Sequence, residues 1–419
     1  MKINKASFYN TLLIVMLLSQ IYIPSFKFNV FFQLIVLSLF LFYEKPKLKT
    51  AFFRTLIPLF IIFFIGFIGM VFFKRPLGLA LKDVFHFIKP IQGILIGYFF
   101  YQIVDNKKVF FQALIKGALI SASIHIFIVL FFTNISSGSI HAIREFTRDN
   151  YLELFALFFI LYYKFFFKEE LIKNSLSRKL IVFILLISCV LYFSRTMMVA
   201  SLIILLSIYG YTKLTLKSLK FLSLMIVAIL LFYSYLYSVT IDRDATGIEA
   251  FFYKVKIAPA ELFETKIDRE NHQELWDHWR GYEAMRAFAL MNEQPISYLT
   301  GTGYGSVVNL KFNAPLDGGK KGMKYISELH NGYPYLLYKS GFFALASYLV
   351  FLFFMYKKIY IKFTFETVFI SAMALFYFFT TLTITGIYNT NDTIVFVLGA
   401  LFCGYFESRK KWNHDKKNI

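Results

Sequence analysis

The chain has 419 residues, of which 58% are hydrophobic and 20% aromatic, including 54 Phe and 28 Tyr. Only 17% are charged, yet the formal net charge is +20. These values exclude a disordered chain, which needs low hydrophobicity. They also argue against a soluble globular enzyme, because one core cannot hide so much apolar surface. A basic balance often signals nucleic acid, but here Lys and Arg sit in short clusters between long apolar runs, and no nucleic-acid partner is expected. The pattern is that of an all-α polytopic membrane protein. Cys189 and Cys403 both lie inside apolar runs, so neither a disulfide framework nor a zinc site is expected.

A bilayer-spanning helix needs ~20 mostly apolar residues. On that template the chain carries about twelve spans: 8–24, 28–43, 51–73, 84–104, 109–133, 150–167, 179–193, 196–212, 217–238, 330–355, 364–386 and 393–407. The first follows Lys2 and Lys5 as a signal peptide would. No small-x-small site follows it and Pro24 ends it, so a retained helix is expected. Residues 1–238 then hold spans one to nine, 239–329 form one large outer loop, 330–407 hold spans ten to twelve, and 408–419 are a basic tail.

Lys and Arg in short loops set orientation. One set of alternate loops, with the termini, carries 24 basic residues, and the intervening short loops carry seven. Both termini are therefore expected in the cytoplasm and the large loop outside. Residues 180–211 could form one long span, which would bury Arg195 in lipid at ~2.5 kcal/mol or more and invert everything downstream. A hairpin turning at Ser194-Arg195-Thr196 satisfies both rules.

The large loop is nearly neutral, with 11 Lys/Arg and 13 Asp/Glu. Its length is far above that of an ordinary connection, so it is expected to be partly folded and functional. Residues 268–294 read as one helix, capped by Asn271 or Asp268 and stopped by Pro295. Trp276, Trp279, Met285, Phe288 and Leu290 give it an apolar side, which would suit the membrane interface. Arg280 stands four residues after Trp276 and three before Glu283, so the three are helix neighbours. Arg280 could equally point into a site.

Gly301-Thr302-Gly303-Tyr304-Gly305 follows, where alternating glycines allow tight turns and close backbone approach. No strand-turn-helix unit surrounds it, so it is no dinucleotide fingerprint. Glu328-Leu329-His330-Asn331-Gly332-Tyr333 marks the return to the membrane, with His330 expected to head a helix there. Imidazole is the side chain best suited to accept a proton near neutral pH, which makes His330 the candidate base.

Outer Arg144, Arg148, Arg195 and Arg280 are candidates for gripping phosphate oxygens, which a guanidinium fork does bidentately. Glu145, Asp149 and Glu153 beside the first two offer an ion-pair reading instead, whereas Arg195 has no acid nearby in sequence. Lys89, beside Pro90, lies within a span and counts as functional by default. Asp242 and Asp244 form a close carboxylate pair, and an ordinary polar loop start explains them, so no metal or other cofactor is expected.

Taken in order, these features resemble the O-antigen ligase and polymerase superfamily of bacterial envelope glycosyltransferases. The match rests on the turn Ser194-Arg195-Thr196 between two mid-chain spans and on one large outer loop two helices later. It rests also on Arg280, Glu283, Pro295, Gly301, Gly303 and Gly305 within that loop, and on His330 and Asn331 with Gly341 eleven positions after the histidine. In ligases Gly, Thr or Tyr commonly follows three after that glycine; here Ala344 stands there. The motifs cover roughly 190–345.

The resemblance implies a GT-C-like architecture in the inner membrane and a glycan donor carried on undecaprenyl diphosphate. The transfer would be metal-independent and inverting, with arginines on the diphosphate and the loop histidine as base. Arg195 and Arg280 are then the diphosphate candidates and His330 the catalytic one. Arg144, Arg148, Lys89, Glu283, Asn331, Gly303 and Tyr304 are supporting candidates. Asn331 would orient the acceptor or His330, and the glycine-rich turn would let the loop close over the sugar. The acceptor is a second lipid-linked glycan in a polymerase and lipid A-core in a ligase; Ala344 and the composition favour polymerase. Membrane lipids and a chain-length regulator are the other candidate partners. A transporter or flippase of lipid-linked sugars is the competing class, with Lys89, His86, Lys116 and His125 as its intramembrane polar groups, but no internal repeat is visible.

Overall fold

The computed structural model describes residues 5–134, 143, 144, 146–243, 246–264, 266–268, 270–316 and 322–415, without the side chains of 410–415. Each of the twelve apolar segments coincides with a helix: α1 (Lys5–Tyr22), α2 (Phe26–Leu39), α3 (Thr50–Phe72), α4 (Leu77–Val104), α5 (Lys107–Phe132), α6 (Tyr151–Phe167), α7 (Ser175–Leu191), α8 (Arg195–Ile208), α9 (Leu216–Ser238), and, beyond the large loop, α14 (Gly332–Tyr356), α15 (Phe365–Thr383) and α16 (Ile394–Asp415). Seven are long and apolar enough to cross a membrane: α2 with its extension to Glu44, α3, α4, α5, α9, α14 with its extension to Tyr360, and α15. Many side chains on their outer faces are large and apolar, such as Phe131, Leu224 and Phe342, a surface suited to lipid rather than water.

The chain leaves the helix between α7 and α8. Phe193 takes a left-handed φ of 44° and Ser194 caps α8 by accepting from Met197 N, so residues 180–211 are not one long span. The tightest packing is between α4 and α16. A Cβ on Gly97 would lie 1.9 Å from Phe396 O, and one on Gly399 2.0 Å from Ile94 O, so glycines let the two backbones meet. By contrast α9 buries only Ser218 and Leu236.

The large loop carries its own small fold. It contains α10 (Gly247–Phe263), α11 (His272–Asp277), α12 (Trp279–Asn292), α13 (Ser297–Thr300) and an antiparallel pair, β1 (Val308–Ala314) and β2 (Met323–Ile326). The single helix expected over 268–294 is instead two. Asn271 caps the first by accepting from Gln273 N and Glu274 N, and the chain breaks at His278. The break turns Trp279 inward, 8% exposed, against Tyr282 and Phe312, so this tryptophan belongs to the loop's core rather than to a membrane interface. The one helix of the loop with no buried residue is α10, which the sequence did not single out.

The glycine-rich turn fastens the loop to the bundle. Gly301, Gly303 and Gly305 all have positive φ, and a Cβ on Gly303 would lie 2.0 Å from Met70 N. Tyr304 enters a notch that Gly66 leaves in α3, with its hydroxyl donating to Phe63 O at 2.8 Å and its N–H to Gly66 O at 3.2 Å. Below it a buried pair, Lys339 and Asp83, 2.5 Å apart, ties the turn further. Lys339 Nζ donates to Ser306 O at 2.6 Å, and Gly305 N donates to Asp83 Oδ2 at 2.7 Å.

Candidate active site

A polar cavity of about 560 Å³ opens where the loop meets the bundle. Its walls come from Arg144 and residues 147–149 before α6, Tyr151 at its start, the start of α8, Arg280 of α12, the segment Glu328–His330, and the stretch 384–391 between α15 and α16.

His330 lies one residue outside the helix it was expected to head, because Asn331 is the N-cap of α14, accepting from Tyr333 N at 3.2 Å. That cap is Asn331's contact; it does not orient the imidazole. The orienting group is Glu283 on α12, 1% exposed. It accepts from His330 N at 2.8 Å and meets Nδ1 with both carboxylate oxygens at 3.0 Å. A carboxylate on Nδ1 fixes the hydrogen there, which leaves the Nε2 lone pair for the cavity. The imidazole is half exposed, while its partner is fully enclosed.

Arg195 and Arg280 face the same cavity and share a carboxylate that sequence reading missed. Glu261, near the end of α10, accepts from Arg195 Nη2 at 3.0 Å and from Arg280 Nη1. Arg195 Nη1 also donates to Lys254 O on the same helix. Arg280 and Glu283, though neighbours on α12, divide their partners, the first to Glu261 and the second to His330. Gly281 makes this approach of α10 possible, since a Cβ there would lie 2.7 Å from Glu264 O. Burial, and next the nearby guanidinium of Arg195, bring Arg280 down to about 10, which leaves it charged at neutral pH. Asp277 secures α10 from the other side, accepting from Arg243 Nε and from Tyr253 OH at 2.8 Å each.

Arg144 is paired to Asp149 at 2.8 Å, and the same carboxylate accepts from Ser194 Oγ at 2.6 Å. Glu153 turns away from both arginines into the bundle. Arg148 lines the cavity and makes no ion pair among the described residues. Glu328 lines it too. Burial acts to raise its carboxyl, but His86 and Lys82 outweigh burial and hold it below its ordinary value.

Three supporting candidates lie elsewhere. Gly303 and Tyr304 sit in the anchor described above, so the turn does not close over a ligand. Lys89 is buried and donates to Thr390 O, which also accepts from Gln20 Nε2 at 2.7 Å; it neither snorkels nor reaches into the cavity, but braces the wall. The polar run Asn389–Asp392 between two apolar spans was the sequence signal for that wall. Asp244 and Glu145 lie outside the described residues. Among the described residues no group of three or more His, Cys, Asp or Glu is placed to hold a metal ion.

Beside the polar cavity, and sharing Ser194 with it, runs an apolar groove of about 750 Å³ between α6, α7, α8 and the start of α10. Seven apolar helices of spanning length, with a histidine–carboxylate pair and two arginines around one cavity, define a multi-pass membrane protein with an enzyme-like site. A family model described as O-antigen ligase matches residues 180–349. The match covers less than half of the chain, and over that stretch the chain is similar to O-antigen ligases. No curated protein matches the chain.

Proposed function

We propose that the chain polymerises O-antigen or a similar polysaccharide, transferring a glycan from undecaprenyl diphosphate at the periplasmic face of the inner membrane. The observation that carries this reading is the arrangement of one cavity: His330, backed by Glu283, faces the same space as Arg195 and Arg280. Twelve spans in a GT-C-like architecture, with both termini in the cytoplasm, complete the reading.

The donor's diphosphate takes the place of Glu261 between the two guanidinium groups, and its polyprenyl tail lies in the adjoining apolar groove. Nε2 of His330 accepts the proton of the acceptor hydroxyl as that oxygen attacks the anomeric carbon. The bond from the anomeric carbon to the diphosphate oxygen breaks, and the electron pair leaves on the diphosphate. Arg195 and Arg280 stabilise that growing charge, while Glu283 stabilises the imidazolium. Attack opposite the leaving group inverts the anomeric centre, and the arginines supply the charge in a metal-independent transfer.

The ligase reading, with lipid A-core as acceptor, shares every donor step and is favoured by the description of the matching family. Ala344 does not separate the two, because it is fully buried, where packing alone favours a small residue. Purified protein in lipid nanodiscs, given the lipid-linked glycan, should release undecaprenyl diphosphate as glycan is transferred. His330→Ala should lower turnover by about 10²–10⁴-fold. Full activity in both His330→Ala and Arg280→Ala would overturn the site. A deletion strain then separates the readings: single repeat units on the core mean polymerase, bare core means ligase.

A further inference from the structure

A second cavity, of about 390 Å³, lies across the 146–150 strap from the reaction cavity, between α1 and α5. Thr147, Arg148, Asp149 and Asn391 face both spaces, so the two are neighbours through one thin wall. Its size falls within the ~300–1,000 Å³ of ordinary ligand sites.

Most polar groups on the floor of this cavity are spent on one another. Glu153 is fully buried and accepts from Ser121 Oγ at 2.7 Å, Asn150 Nδ2 at 2.9 Å, Tyr192 OH at 3.2 Å and Ser188 Oγ. Tyr22 OH donates to Ser121 O at 2.8 Å. Ser188 gives its one hydrogen to Glu153, so at 2.7 Å His125 must donate to it from Nδ1. His125 is stacked on Tyr192 with ring centres 3.8 Å apart, and its Nε2 is a buried acceptor without a partner. Native interiors seldom leave such an atom unspent.

Four groups around the cavity thus remain available among the described residues: Nε2 of His125, the hydroxyl of Thr147, the side-chain amide of Asn391 and the exposed guanidinium of Arg148. Together they offer both donors and acceptors, which is what hydroxyl groups require. The rings of Tyr22 and Tyr192 supply apolar faces for C–H surfaces. A polyprenyl tail does not suit these polar walls. A second diphosphate does not suit them either, because the single available arginine stands beside the Asp149 carboxylate.

We propose that this cavity is a glycan subsite adjoining the reaction cavity, taking sugar rings of the donor or of the acceptor. The transfer reading above supplies the class of ligand; the cavity and its unspent groups stand apart from it. The test uses the full chain in nanodiscs and, as probe, the host strain's lipid-linked glycan after cleavage from its diphosphate. The wild type should bind this free glycan. Ile128→Trp fills the cavity from its α5 wall, at a position that does not itself line the reaction cavity; it should weaken binding by about tenfold or more. Arg148→Gln, at an exposed position that folding tolerates, should weaken it as well. In the transfer assay Ile128→Trp should raise KM with kcat nearly unchanged, and whether the donor or the acceptor KM rises says which glycan enters. Absence of binding by the wild type, or unchanged binding in both variants, would overturn the subsite. Glycan binding without any transfer would sink the transfer reading and leave the subsite standing.

Discussion

Neutralising Glu261 should tighten donor binding. This carboxylate takes one nitrogen from each of Arg195 and Arg280, so an arriving diphosphate must displace it. The three side chains are between 15% and 30% exposed, which lets solvent weaken the attraction. Fully buried charged hydrogen bonds contribute ~1.5–3 kcal/mol each and exposed ion pairs under ~1 kcal/mol, so the whole bridge is set at about 1–2 kcal/mol. At 1.4 kcal/mol per tenfold, Glu261→Gln should tighten undecaprenyl diphosphate binding by about 5–30-fold. The donor KM should fall with it, and kcat should change little. Titration calorimetry on the nanodisc-held protein reads the first effect, and initial rates read the second. Should the donor KM hold steady while kcat drops, Glu261 aligns the arginines for catalysis rather than competing for them, and the displacement argument fails.

Glu283→Gln keeps the size of the side chain but removes the charge behind His330. Turnover should fall by about 10²-fold or more with a small change in KM, measured as release of undecaprenyl diphosphate; near-normal turnover would mean the imidazole needs no carboxylate. Lys339→Met leaves Asp83 charged and alone in the bundle, at ~3–5 kcal/mol, and adding Asp83→Asn should recover much of the lost melting temperature. Because burial and Arg195 bring Arg280 down to about 10, its charge is present below that pH and lost above it. Bound diphosphate favours the charged form, so donor affinity should decline as pH rises through about 10. Affinity that stays flat to pH 11 in calorimetry would mean that Arg280 keeps the ordinary arginine value, above ~12, and that burial does not bring it down.

The bundle was legible because lipid imposes one rule, ~20 apolar residues per span, and every such run is a helix here. Arg195 and His330 were legible as polar groups at the ends of apolar runs and Arg280 as a loop-helix neighbour of Trp276 and Glu283, and the structure brings all three to one cavity. Glu261 was not. It stands 66 residues from Arg195 along the chain, in a helix with no buried face and therefore no apolar period to mark it. Glu283 was read against Arg280 by helix spacing, but its tertiary partner is His330, 47 residues on. The glycines at 301, 303 and 305 signalled close backbone approach correctly; sequence could not say that the backbone approached is that of α3 rather than a ligand. Lys89 was conspicuous by charge alone, and only the path of residues 389–392 reveals the carbonyl it braces.

The anchor of Tyr304 in the notch at Gly66 bears on how such proteins can be recombined. The outer loop is stitched into α3 by Tyr304 and, through Gly305 and Ser306, into the Asp83–Lys339 pair shared by α4 and α14. It is therefore no interchangeable cassette. A chimera that borrows the loop from a relative must bring matching surfaces of three membrane helices with it. Otherwise the segment that delivers Arg280 and Glu283 loses its mooring to the helix that follows His330.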